Sequence, residues 1–226
     1  MSVLNPVSIV IADDHALYRE GISSYLLNFS KYKIEGEASN GEELISLVTR
    51  IKPDIIVTDI NMPVINGIQA TSILLKKFPH IKVLALSYLD NDESVIKMFL
   101  AGATGYLNKD ANGKELTKAI DAVMENNFYY SNTTNKSLTH LIENSKYIST
   151  QFKNEAEFSN REREIIQLVC EDQTSYSIGK NLGISSRTVE KHLSNIYRKV
   201  CVNSAVGLVI YAIKKRIFTL PDDSPE

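Results

Sequence analysis

The chain has 226 residues, of which 43% are hydrophobic and 23% charged, enough for one large domain or two modest ones with cores of their own. Its longest apolar stretch, residues 205–213, falls far short of the roughly 20 residues that span a bilayer, and no basic-apolar-small pattern opens the chain; a cytoplasmic protein without a membrane partner is expected. The net charge of −2 hides an asymmetry: residues 1–126 hold 12 Lys and Arg against 16 Asp and Glu, residues 127–158 hold 3 against 3, and residues 159–220 hold 10 against 5, so only the back of the chain suits a polyanion.

Five short apolar runs punctuate the front: VSIVIA (7–12), KIEGEAS (33–39), DIIVT (54–58), IKVLALS (81–87) and TGYLN (104–108). Each reads as a strand. Helical spacing fills the gaps, as in Leu44, Leu47, Val48 and Ile51, or Val95, Ile96, Phe99 and Leu100. Alternating βα units predict a doubly wound, five-stranded parallel sheet with helices on both faces. Ligands of such sheets bind outside the carboxyl ends of the strands. Four of the five strands end there in polar or charged groups: Asp13-Asp14, Asp59, Ser87 and Asn108-Lys109.

Three carboxylates on one rim repel one another unless a cation compensates. A hard, oxygen-seeking Mg²⁺ does so and leaves room for a phosphoryl group. With Lys109 to neutralise phosphoryl oxygens and the Ser87 hydroxyl to donate to one, the rim suits acceptance of a phosphoryl group by Asp59. The two cysteines and four histidines form no transition-metal spacing.

These residues carry a resemblance. With Asp13-Asp14, Asp59 in TDINMP, Gly67, Ser87, Gly105-Tyr106-Leu107 and Lys109-Asp110, residues 1–126 resemble the flavodoxin-like receiver domain of two-component response regulators. The resemblance implies strand order 2-1-3-4-5. It implies Asp14, Asp59 and the backbone carbonyl of Asn61 as Mg²⁺ ligands, with Asp13 acting through water. It also implies a histidine kinase as partner, and a switch in which Ser87 moves toward the phosphoryl group while Tyr106 swings inward.

Residues 127–158 are rich in Asn, Ser and Thr, with one weak apolar cluster around Leu138, Leu141 and Ile142, and read as a linker with room for a short helix. Beyond it the pattern is purely helical over residues 159–220, before an acidic tail at 221–226. Ser159 and Glu162 form a capping box, Thr174 and Ser185 are further N-caps, and Gly183 suits a turn between two helices. Val189, Leu193, Ile196 and Val200 form a core stripe, which turns Arg187, Glu190, Lys191, Ser194, Asn195 and Arg198 outward. Residues 175–181 would be the first helix of a helix-turn-helix.

From SNREREIIQLV to SNIYRKV, within residues 159–215, the chain is similar to the small all-α, LuxR-type helix-turn-helix domain of regulators of the NarL/FixJ class. That resemblance implies double-stranded DNA as partner, bound as a homodimer. Glu190, Lys191 and Ser194 would face base edges, and Arg187, Thr188, Asn195, Arg198 and Lys199 would contact phosphates. Three departures stand out: Ser177 and Gly179 in the first helix, Cys201 where a glycine usually ends the recognition helix, and an apolar final helix. Val206 and Ile210, on one face of it, are expected to bury against a second subunit or the receiver.

The expected function is phosphorylation-controlled transcriptional regulation by a non-enzymatic DNA-binding protein. A phosphohydrolase resembling the haloacid dehalogenase class needs a second carboxylate two residues after its nucleophile, where this chain has Asn61. A constitutive DNA-binding protein whose receiver serves only dimerisation is the alternative.

Overall fold

In the computed structural model, residues 5–88, 92–125, 128–131, 142, 145–152, 156–171 and 173–218 are described. Two compact units divide the chain, Met1–Asn135 and Lys136–Glu226.

The first unit contains β1 (Val7–Ala12), β2 (Tyr32–Ala38), β3 (Ile55–Asp59), β4 (Lys82–Ser87), β5 (Gly105–Asn108) and β6 (Tyr129–Tyr130). Helices α1 (Ala16–Leu26), α2 (Gly41–Ile51), α3 (Gly67–Lys77), α4 (Asp92–Ala101) and α5 (Gly113–Met124) alternate with them. The strands lie parallel in the order β2-β1-β3-β4-β5-β6. Five strands were expected; the sixth is a correction. Its two residues fall in the stretch read as linker, where the Tyr129 amide donates to Thr104 O and the Ser131 amide to Tyr106 O.

Successive strand residues point to opposite faces. Ile9, Ile11, Val57 and Leu86 pack with Ile22 and Leu26 of α1 and with Leu116, Ile120 and Val123 of α5. Their neighbours Val10, Ile56 and Ala85 are as deeply buried and face the layer of α2, α3 and α4. This two-sided burial is why β3 and β4 are continuous apolar runs.

Between β3 and α3 the chain is held tightly. The Gly67 amide donates to Ile60 O and the Gly41 amide to Ile65 O, and Asn66 with Gln69 forms a capping box at the start of α3. Val64, in this loop, has φ 66°, a left-handed conformation that costs a β-branched residue strain.

The second unit has α6 (Lys146–Gln151), α7 (Asn160–Cys170), α8 (Ser175–Leu182), α9 (Ser186–Val200) and α10 (Ala205–Lys214). The expected caps are formed: Ser159 with Glu162, Thr174 to the Ser177 amide, and Ser185 to the Thr188 amide. Gly183 ends α8 in the left-handed conformation. Val189, Ile196 and Val200 are buried, as the stripe predicts, with Ile165, Ile166, Ile178 and Leu208. Residues leading into α7 are anchored to α10: Phe152 and Phe158 stack edge-on against Tyr211, whose hydroxyl accepts from the Ala156 amide. A helix thus occupies part of the expected linker, although Leu138, Leu141 and the acidic tail lie outside the described residues.

Two departures find physical reasons. A Cβ at Gly179 would lie 2.7 Å from Ile184 O, so the glycine that weakens α8 permits its close approach to the turn before α9. Cys201 takes the left-handed conformation despite its side chain (φ 58°), and its amide still closes α9 on Tyr197 O. The final helix brings a correction: Ile210 is 0% exposed in a single copy of the chain. Packing of α10 on α6, α7 and α9 leaves it no surface for a second subunit, whereas Val206 is partly exposed.

Candidate functional site

The rim at the carboxyl ends of the strands brings the front candidates together. Asp13 follows β1, Asp59 ends β3, Ser87 ends β4 and Lys109 follows β5; all four are buried. Register explains the convergence, because Asp59 pairs with Leu86 and Ser87 with Asn108. The Lys109 ammonium donates to Asp59 Oδ2 at 2.7 Å and lies 2.6 Å from Asp13 Oδ2. The Asn61 amide donates to the other Asp59 oxygen at 3.2 Å. Asp14 lies one residue further out and is more exposed, its Oδ1 3.0 Å from His15 Nδ1.

Burial pushes the Asp59 carboxyl above its ordinary range; the bond and charge of Lys109 pull it back, and Asp13 adds to the rise. For Lys109, burial disfavours the charged form, but bonds to Asp13 and Asp59 outweigh it and hold the ammonium above its usual value. A single lysine therefore compensates two buried carboxylates. Asp13 Oδ2 has the Lys109 ammonium at 2.6 Å as its ion-pair partner and no further hydrogen-bond partner among the described residues. Ligand atoms of Asp13, Asp14, His15 and Asp59 lie within 4.8 Å of one another. An under-satisfied buried carboxylate oxygen inside an acidic cluster fits a hard divalent cation.

Tyr106 is buried on β5, its ring 5.7 Å from that of Tyr130 on β6. The switch candidate thus packs on the unexpected strand. Phe99 of α4 stacks on Tyr130 and Phe128, which extends the aromatic contact from α4 to the end of the sheet.

In the second unit, Arg187, Thr188, Glu190, Lys191, Ser194 and Arg198 are exposed along α9, and Asn195 is partly exposed. Arg198 donates to Asn195 Oδ1. Thr188 also serves the Ser185 cap. Lys199, also in the expected phosphate-contact set, has partners within the unit: its ammonium donates to Glu162 Oε2 at 2.8 Å and to Glu157 O at 3.1 Å, so it ties α9 to α7. Burial works to raise the Glu162 carboxyl, but the bonds from Lys199 and Ser159 prevail and hold it below the ordinary range.

Comparison with known proteins fits both units. A family model described as a response regulator receiver domain matches residues 9–121, and one described as bacterial regulatory proteins, luxR family, matches residues 156–212. The chain belongs to the response regulators of the NarL/FixJ class. It is 34% identical over 223 residues to the transcriptional regulatory protein DegU of Brevibacillus brevis, covering 93% of this chain and 94% of that one. It is also 34% identical over 215 residues to the oxygen regulatory protein NreC of Staphylococcus haemolyticus, covering 93% and 99%. Among solved structures, a two-component response regulator of the LuxR family from Aurantimonas matches with a TM-score of 0.53 and 29% identity, over 55% of this chain and 89% of that one.

The regulator carries features that the sequence pattern did not reveal. Tyr18 and Tyr88 stand over Lys109, and Tyr130 backs Tyr106. Tyr176 is 76% exposed on α8, beside the helix-turn-helix face. Tyr176 could have been found from helical spacing, since Ile178 and Gly179 face the core; the others depend on contacts across elements. No single helix among the described residues is long and apolar enough to cross a membrane.

Proposed function

We propose that Asp59 is the phosphoryl acceptor of this two-component transcriptional regulator, that a histidine kinase is the donor, and that phosphorylation controls binding of α9 to double-stranded DNA. The carrying observation is the single buried rim on which Asp59, Asp13, Ser87 and Lys109 meet from four strand ends. A carboxylate oxygen of Asp59 attacks phosphorus; the P–N bond of the donor phosphohistidine breaks, its electron pair returns to the imidazole nitrogen, and that nitrogen takes a proton. Lys109 neutralises the incoming phosphoryl oxygens as its contact with Asp59 is replaced, and Ser87 donates to one of them. Mg²⁺ would be held by Asp14, Asp59 and the Asn61 carbonyl, with Asp13 acting through water, and would supply positive charge to the phosphoryl oxygens.

A groove of about 510 Å³ beside this rim is lined by residues including Leu17, Tyr18, Tyr25, Tyr88 and Leu116. Leu17, a large apolar side chain on the wall of this groove, is 84% exposed. It supports docking of the kinase on α1 and the start of α5.

Phosphorylation is read out through Tyr106. Its ring packs on Tyr130, and β6 precedes the stretch that joins the two units, so a change at Tyr106 reaches that stretch along the chain. On DNA, Glu190, Lys191 and Ser194 face base edges while Arg187, Thr188, Asn195 and Arg198 meet phosphates. Two copies read paired half-sites, with Val206 available to the contact between them.

The test is the intact mass of the full chain after incubation with Mg²⁺ and acetyl phosphate. Wild type is expected to gain one phosphoryl group and Asp59→Asn none. Equal gain by the variant would place the acceptor elsewhere.

A further inference from the structure

The Lys109 side chain is only 1% exposed. Carboxylates bound one side of its ammonium, and two aromatic faces bound the other. The ring centroid of Tyr18 lies 4.8 Å from Nζ and that of Tyr88 lies 5.2 Å away. The two rings are 6.0 Å apart at 57°, and the Tyr18 hydroxyl donates to the Lys109 carbonyl at 3.4 Å. They reach this point from different elements, Tyr18 from the first turns of α1 and Tyr88 from the residue after Ser87.

Core packing alone does not explain Tyr88. It is 53% exposed, yet its face is turned to a buried cation that already has two anionic partners. An aromatic face attracts a cation most strongly where water is excluded. When a phosphoryl group replaces the contact between Lys109 and Asp59, the two rings remain as partners of the ammonium.

We propose that Tyr18 and Tyr88 are positioning residues that clamp Lys109 over the phosphoryl group on Asp59 and so prolong its lifetime. The inference rests on Asp59 as acceptor. The reaction they restrain is hydrolysis: a water oxygen attacks phosphorus, the bond between phosphorus and the Asp59 oxygen breaks, and inorganic phosphate leaves with the carboxylate restored. Loss of one such ring is expected to shorten the lifetime about five- to thirty-fold, the factor set by a cation–π contact in a desolvated site.

The experiment follows decay of the phosphorylated full chain by intact mass after removal of acetyl phosphate, for wild type, Tyr88→Ala, Tyr88→Leu, Tyr88→Phe and Tyr18→Phe. Tyr88→Ala should decay at least about fivefold faster, Tyr88→Phe should match wild type because the ring is kept, and Tyr88→Leu should fall between them. Tyr18→Phe should also match wild type, which separates the ring from its hydroxyl. A lifetime for Tyr88→Ala within twofold of wild type overturns the clamp while leaving Asp59 as acceptor, since uptake is measured in the same spectra. Failure of Tyr88→Phe to restore the lifetime also overturns it. Equal uptake by Asp59→Asn removes the acceptor reading, and the clamp falls with it.

Discussion

Gly67→Ala tests how the chain places its acceptor. A Cβ at Gly67 would lie 2.0 Å from the carbonyl oxygen of Asp59, 3.0 Å from its carbonyl carbon and 3.2 Å from Ile60 Cα. All three are backbone atoms, so no side chain can turn aside. Ordinary contact requires about 1.5 Å more separation, obtained only by moving the start of α3 from the end of β3. Overpacking of this kind costs about 1–3 kcal/mol, and little of the alanine propensity gain is available at the first residue of a helix. Gly21→Ala is the matched control. Gly21 lies inside α1 with nothing within 4 Å of its would-be Cβ, so the same substitution should stabilise by roughly 0.5–1 kcal/mol. Urea unfolding of the full chain, read by hydrogen exchange in peptides from residues 5–88, isolates the first unit's transition. Opposite signs for the two alanines are expected, with reduced phosphoryl uptake for Gly67→Ala. Stability of Gly67→Ala equal to or above wild type would refute the reasoning.

Lys199→Met should destabilise the second unit by about 1 kcal/mol, a value held low because the lysine side chain is 40% exposed. Since the Glu162 carboxyl is depressed in the folded state, its contribution is present above the ordinary carboxylate pKa and lost as pH falls through the lowered value. Urea midpoints should therefore fall more steeply with acidification in wild type than in the variant; parallel profiles would remove the Glu162–Lys199 tie. Cys201→Gly and Val64→Gly should each stabilise their unit by about 0.5–1 kcal/mol, the left-handed penalty less the added freedom of glycine in the unfolded chain, and unchanged urea midpoints would deny the strain. Tyr130→Ala should leave uptake at Asp59 intact but cut the phosphate-dependent gain in DNA affinity about fivefold or more, and an undiminished gain in a DNA titration would exclude β6 as the route.

What the sequence made legible follows from the range of the forces involved. Buried parallel strands are runs of Ile, Val and Leu, and their ends carry the chemistry, so Asp13, Asp59, Ser87 and Lys109 could be assigned to one rim before any contact was known. Caps were equally legible, because Ser159 with Glu162, Thr174 and Ser185 act within one turn. The sixth strand was not. Tyr129 and Tyr130 are too few to alternate, and they pair only because β5 presents an open edge. Lys199 lies on the outward side of a helical wheel, yet the crossing of α7 and α9 brings it to Glu162. Ile210 was read as a contact residue because its helix is apolar, but the neighbouring helices of a single copy already cover it. Tyr18 and Tyr88 are 70 positions apart in the sequence, so no local pattern relates them.

The central claim is that a phosphoryl group on Asp59 controls recognition of DNA. Its most direct test is selection from a randomised duplex pool by the full chain, with and without Mg²⁺ and acetyl phosphate, for wild type and Asp59→Asn. Sequencing should show paired half-sites enriched by phosphorylated wild type, with weaker enrichment both without the donor and by the variant under all conditions. The same enrichment by Asp59→Asn as by phosphorylated wild type would contradict the account.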